Sequence, residues 1–308
     1  MNSRLRADGR AALLGRVLAD GGFPGRPRGA FQVDSTAWGI LALSACDGPT
    51  KVLTQARHLL MRDQLGDGRL CVDTTHPASF WPTSLAILAW EHSEPCRDAQ
   101  QRAIRFMLDT TGRHFPRTAD LPSAHDTMLK GWPWVGETHS WVEPTAMGMM
   151  ALRAVGHGQH DRVQEAVRML LDRQLPHGGW NYGNALVLGT ELRPMPESTG
   201  AALAGLAGLA ERDAVQASLT YLQQEVIRLR TPISLGWSLL GLAAWKHTPS
   251  NAALLVERCL ANQERYGEYE TSALCLLVLG ALAGREPDDP SLLISSPVDQ
   301  GRSGSLHH

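Results

Sequence analysis

The chain has 308 residues, is 43% hydrophobic and 19% charged, and carries a formal net charge of -2. That balance excludes an intrinsically disordered polyelectrolyte and gives no global pull toward nucleic acid. No apolar run approaches the roughly 18 residues that a spanning helix needs, Ala273 to Ala283 coming nearest, and the five cysteines (Cys46, Cys71, Cys96, Cys259 and Cys275) form no CxxC pair, which points to reduced thiols and a cytoplasmic protein.

The N-terminal stretch mixes Arg and Asp into a helical pattern and does not read as a signal peptide. The first strongly apolar segment follows at Thr36 (TAWGILALSA), and five more come after it, opening at Thr83, Thr145, Thr199, Ser234 and Ser272. Their starts are 47, 62, 54, 35 and 38 residues apart, the spacing of helical hairpins joined by loops of unequal length. Each is apolar around nearly its whole circumference and is expected to be a buried inner helix. Between them lie amphipathic stretches such as Arg102–Thr110 and Asp161–Gln174, with apolar residues at i, i+3 and i+4, expected to be outer helices. One hairpin cannot bury its own apolar helix, so the set is expected to close into an all-α toroid of six hairpins, an (α/α)6 barrel with inner and outer rings, over residues 1–286. Glycines on the inner segments (Gly39, Gly148, Gly200, Gly205, Gly208, Gly236 and Gly241) would let those helices approach closely. Residues 287–308, opening Pro-Asp-Asp-Pro and ending rich in Ser and Gly, are expected to be a disordered tail.

A second pattern recurs where outer helices give way to inner ones. It is fullest in Ala166–Gly183, AVRMLLDRQLPHGGWNYG, where Gln174 ends a helix and Gly178-Gly179-Trp180 makes the turn; Gly21-Gly22-Phe23, Gly66-Asp67-Gly68 and Gln263-ERYGEY are weaker copies. This resembles the glutamine-tryptophan repeat of squalene-hopene cyclases and the related repeat of protein prenyltransferase β subunits, across nearly the whole chain. The resemblance implies a barrel that handles isoprenoids, with an apolar isoprenoid-like ligand, peripheral contact with a membrane and no cofactor. In class II terpene cyclases the general acid is the middle carboxylic acid of Asp-x-Asp-Asp-Thr-Ala. The matching stretch here is Gln32-Val33-Asp34-Ser35-Thr36-Ala37, so the resemblance places Asp34 as the acid, with both flanking aspartates replaced. Two other readings stay open: a non-catalytic toroid that binds lipid or a protein partner, and a prenyltransferase-like β subunit, for which Cys71, Asp73 and His76 are the imaginable zinc ligands.

Four inner helices carry an acid two residues before their opening Ser or Thr: Asp34, Glu143, Glu197 and Glu270. In an alternating toroid the inner helices all start at the same rim, so these carboxylates should converge there. Stabilisation by the exposed N–H groups of a helix start explains each such acid without any chemistry. Aromatic residues crowd the same places: Phe80 and Trp81 before the second inner helix, Trp134, His139 and Trp141 before the third, Trp180 and Tyr182 before the fourth, and Trp38 within the first. Rings beside carboxylates would shape an isoprenoid chain and stabilise a carbocation, with Asp34 as acid and Glu143 and Glu197 as neighbours; equally, aromatic residues at such junctions only fill the gap between helix layers. The loop from Gly112 to His139 is longer than a hairpin needs and is expected to be a lid or partner surface. His125, Asp126, Glu137 and His139 within it lack metal-ligand spacing, and no metal is expected.

Overall fold

A computed structural model of the chain describes residues 2–116, 125–187 and 189–284; the expected tail lies outside them, as does part of the Gly112–His139 loop. Twelve α-helices occur among the described residues. Six of them, α2 (Val33–Ala45), α4 (Pro82–Ala89), α6 (Val142–Ala154), α8 (Pro196–Leu206), α10 (Pro232–Ala244) and α12 (Thr271–Leu282), contain the six apolar segments. Every residue of α4 is buried, as is every residue of α2 except Ser44, as an inner ring requires. The other six are α1 (Asn2–Leu14), α3 (Thr50–Arg62), α5 (Arg97–Asp109), α7 (Asp161–Asp172), α9 (Arg212–Glu225) and α11 (Ala252–Tyr266). They bury one stripe each, such as Ala99, Ala103, Ile104 and Met107 on α5.

Each inner helix packs on the next, and α12 packs on α2, so the ring closes; α1 touches both α12 and α2 and covers that junction from outside. The expected toroid is therefore the observed one. Closure matters energetically because an open stack would leave the apolar flanks of α2 and α12 in water, at about 25 cal/mol per Å².

Close approach on one side of the ring depends on glycine. A Cβ on Gly200 of α8 would lie 2.3 Å from the Trp237 carbonyl oxygen on α10, and one on Gly241 would lie 2.5 Å from the Gly200 oxygen. Gly208 does not belong to this set: α8 ends at Leu206, and Gly208, at φ 73°, sits in the turn beyond it.

The repeated junctions are hydrogen-bonded clamps. The hydroxyl of the Thr opening an inner segment accepts the N–H of a buried residue in the preceding turn: Thr36 from Phe23 at 3.0 Å, Thr83 from Leu70 at 2.9 Å, Thr145 from Trp132 at 2.9 Å and Thr199 from Trp180 at 3.0 Å. It also leans back toward the carbonyl of the same residue, at 3.1 to 3.4 Å. Glutamine ties neighbouring hairpins together. The Gln174 amide donates to Ser218 on α9 at 2.6 Å, and Gln64 donates to the Gly68 and Ala99 carbonyls at 2.9 and 2.8 Å. Gly178 makes its turn at φ 92°, a conformation that side chains rarely adopt.

Two features had no counterpart in the sequence pattern. A short antiparallel hairpin pairs Leu186–Val187 with Thr190–Glu191 in the α7–α8 connection. The long loop before α6 is fastened by Arg162 of α7, whose guanidinium donates to the carbonyls of Thr110 at 3.1 Å, Lys130 at 3.0 Å and Gly131, and lies 3.9 Å from the Trp132 ring centre.

Candidate active site

Because the inner helices alternate with outer ones, all six begin at the same end of the ring, and there a cavity of about 260 Å³ opens between them. Its wall takes residues from the first turns of α6, α8, α10 and α12, from Trp38 in α2 and Trp81 at the start of α4, and from Trp134 and Tyr182 in the connecting loops. The rings form two edge-to-face pairs. Trp38 meets Trp237 at 5.8 Å between centres and Trp81 meets Trp134 at 5.3 Å, the geometry favoured by the ring quadrupole. Met147, Ala273 and Leu276 complete an apolar interior, while the exposed Tyr182 and Ile233 stand at the mouth.

Two carboxylates break this apolar wall, Glu143 on α6 and Glu197 on α8. Glu143 is only 6% exposed. The Ser198 hydroxyl donates to its Oε1, and its buried Oε2 has no partner. Burial pushes its carboxyl up to about 7; the nearby Glu197 adds to the rise, while the Ser198 hydrogen bond and its own backbone N–H oppose it. Glu197 is held differently, accepting the Ser234 hydroxyl at 2.8 Å and the Tyr182 phenol at 3.5 Å. Burial raises the Tyr182 phenol, helped by the charges of Glu197 and Glu143.

Asp34 is also buried, one helical turn before Trp38 on the same face of α2, but it is not among the residues that line the cavity. Burial raises its carboxyl pKa, opposed by the N–H groups of Ser35 and of Asp34 itself; Glu270 then adds to the rise. Its Oδ1 has no partner. Glu270 points to the surface, 3.2 Å from the Arg26 guanidinium. No side-chain capping bond is made at the N-cap residue of α2, α6, α8 or α12.

Of the aromatic residues expected at the rim, Trp38, Trp81, Trp134 and Tyr182 meet in the cavity wall, and Phe80, His139, Trp141 and Trp180 do not. Trp180 is fully buried and donates its indole N–H to the Leu170 carbonyl at 2.7 Å, so it holds its hairpin together. Phe80 packs edge-to-face on Phe106 of α5 at 5.1 Å, filling the gap between layers. His139 stacks on Trp141 at 4.3 Å, and burial lowers the pKa of its ring. Sequence reasoning missed Trp237, Ser198 and Ser234. Trp237 had a signal: like Trp38, it is a tryptophan inside an inner helix, whereas Trp90 and Trp245 mark helix ends and bond to backbone carbonyls.

The imagined zinc ligands do not share a site. The Cys71 thiol is buried and donates to the Pro77 carbonyl at 3.1 Å, while Asp73 and His76 pair with each other on the surface. Among the described residues no three His, Cys, Asp or Glu side chains converge as metal ligands, and no helix is long and apolar enough to cross a membrane.

No family model and no curated protein sequence matches the chain. Solved structures do resemble it. A protein from Actinoplanes superposes with a TM-score of 0.58 at 16% identity, over 92% of this chain and 98% of that one. A variant of the type II terpene cyclase MstE from Scytonema, in complex with its substrate geranylgeranyl dihydroxybenzoate, superposes with a TM-score of 0.58 at 13% identity, over 87% and 82%. Another MstE variant, in complex with the product merosterolic acid A, gives 0.57 at 12% identity, over 91% and 97%. At these identities what is shared is the fold: an all-α toroid of the kind found in type II terpene cyclases.

Proposed function

We propose that this toroid binds an apolar isoprenoid-like chain in its axial cavity and, as in class II terpene cyclases, starts its cyclisation by protonation from a carboxylic acid. The observation that carries the reading is the wall itself: four tryptophans in two edge-to-face pairs around an apolar interior, broken by the carboxylates Glu143 and Glu197. Apolar walls take up a hydrocarbon chain by the hydrophobic effect. Tryptophan faces attract a positive charge by about 0.5 to 2 kcal/mol each, the larger values applying where water is excluded. The similarity in fold to MstE, solved with geranylgeranyl dihydroxybenzoate, agrees with an isoprenoid ligand.

A binding-only toroid is the second reading, and one observation favours it: Asp34, the residue that the sequence resemblance assigns as the acid, does not line the cavity. The two are separated by incubating the protein with farnesol and with geranylgeraniol. Binding is followed by quenching of tryptophan fluorescence and products by gas chromatography with mass spectrometry. Saturable quenching that weakens at least about tenfold in Trp237→Ala is expected, with a cyclic isomer formed. Quenching without product supports the binding-only reading, and no quenching by either alcohol removes both.

A further inference from the structure

The geometry points to Glu143, on the third inner helix, as the group that delivers the proton to the bound alkene, with Ser198 and Glu197 as the residues that tune it. This rests on the cyclase reading above and moves the acid away from the helix on which Asp34 lies. Three observations carry it. Glu143 lines the cavity and Asp34 does not. Glu143 is only 6% exposed and its buried Oε2 has no hydrogen-bond partner, a setting that favours the protonated form of the carboxyl group. Its other oxygen is fixed by the Ser198 hydroxyl, which sets the orientation of the carboxyl group and can stabilise the carboxylate left after transfer.

The chemistry balances without an oxidant or a reductant. The proton of the Glu143 carboxyl goes to the less substituted carbon of a terminal trisubstituted alkene. The O–H bond breaks, the alkene π pair forms the new C–H bond, and a tertiary cation appears at the neighbouring carbon, where the tryptophan rings can face it. An internal alkene donates its π pair to close the ring. Loss of a proton to water from a carbon beside the final cation restores a double bond, so the product is an isomer of the substrate, and Glu143 is reprotonated from solvent.

An acid for this task must be neutral at the working pH, and its surroundings meet that need. Burial, helped by the charge of Glu197 and opposed by the Ser198 hydroxyl and the backbone N–H, brings the Glu143 carboxyl up to about 7 in all, so that a large share of it carries its proton near neutral pH. A carboxyl held this high is a poorer donor than an ordinary one, so the reaction leans more heavily on the rings that stabilise the cation. Glu197 lines the cavity beside it and is fixed by Ser234 and Tyr182, so it acts as a positioning residue through its charge.

The test follows turnover of farnesol and geranylgeraniol in D2O, where the wild type should give a cyclic isomer carrying deuterium at the protonated carbon. Glu143→Gln keeps the shape of the side chain and should lower kcat by about 10²-fold or more, with quenching of tryptophan fluorescence by the probe changed less than about threefold. Asp34→Asn should stay within about fivefold of wild type. Two further variants guard against loss of folding and read the acid directly. Glu197→Gln removes a like charge and should move the alkaline limb of the kcat profile to lower pH, while Ser198→Ala removes a bond to the carboxylate and should move it to higher pH. Unchanged turnover in Glu143→Gln, or a 10²-fold loss in Asp34→Asn with Glu143→Gln active, overturns the assignment and leaves the cyclase reading standing. Pulls in the same direction by Glu197→Gln and Ser198→Ala also overturn it. A wild type that binds the probes and never converts them overturns the cyclase reading, and the assignment falls with it.

Discussion

Replacing Thr145 with Val isolates one atom of the repeated clamp. The Thr145 hydroxyl accepts the Trp132 N–H at 2.9 Å, and both residues are buried. The Trp132 carbonyl, which the hydroxyl also approaches at 3.3 Å, keeps a second partner in the Trp141 N–H at 3.1 Å. Valine retains the branched shape, so little apolar burial changes and no cavity opens. The cost is that of leaving a buried N–H unsatisfied, about 1 to 3 kcal/mol. For a chain of this size each kcal/mol lowers Tm by about 2 °C, giving a drop of roughly 4 °C for the middle of that range. Calorimetric melting of Thr145→Val beside Thr220→Val provides the assay. Thr220 lies on the exposed face of α9 and bonds only within its own helix, to Gln216, so it should change by no more than about 1 °C. Thr83→Val should be worse than Thr145→Val, because among the described residues the Leu70 carbonyl, which the Thr83 hydroxyl bonds at 3.1 Å, has no second backbone donor such as Trp141 gives to the Trp132 carbonyl. A Thr145→Val protein that melts with the wild type would refute the clamp as a source of stability.

Gly200→Ala should be destabilised by about 2 kcal/mol or more, because its new methyl carbon would lie 2.3 Å from the backbone oxygen of Trp237 and α8 and α10 must part. Since Trp237 lines the cavity, the affinity for farnesol should fall too; an unchanged Tm by calorimetry would count against the tight α8–α10 contact. The Glu143 carboxyl, ordinarily at 4.5 and here at about 7, links stability to pH. Between those values the folded protein keeps a proton that the unfolded chain has released, so stability is full below the lower value and declines as pH rises toward the higher. The loss amounts to roughly 3 kcal/mol. Glu143→Gln lacks this slope, so urea melts at about pH 5 and about pH 8 should show the wild type losing ground against the variant; parallel pH profiles would show that the group is not held neutral.

The residues along the chain were enough to establish the alternation of helices and the chemistry of their junctions. An inner helix such as α4, buried at every position, and an outer helix such as α5, buried along one stripe, differ in composition and periodicity alone. The Gln174 tie and the turn at Gly178 are likewise local, each depending on residues a few positions apart plus one neighbour, and their repetition made the toroid legible. The identity of the cavity wall was not legible in the same way. A helix that is apolar all round has no preferred angular phase in its sequence, so nothing local says which side of α2 or α10 faces the axis. That rotation is fixed by how the neighbouring helices pack when the ring closes, through contacts such as Gly200 against Trp237. The same packing places Glu143 in the wall with Ser198 beside it and leaves Asp34 outside, although both acids stand at the same position of the repeat. Trp180 and Trp237 show the point most simply. Both are tryptophans on the way into or within an inner helix, yet one is a structural bolt and the other a cavity wall, because only the closed ring defines an inside.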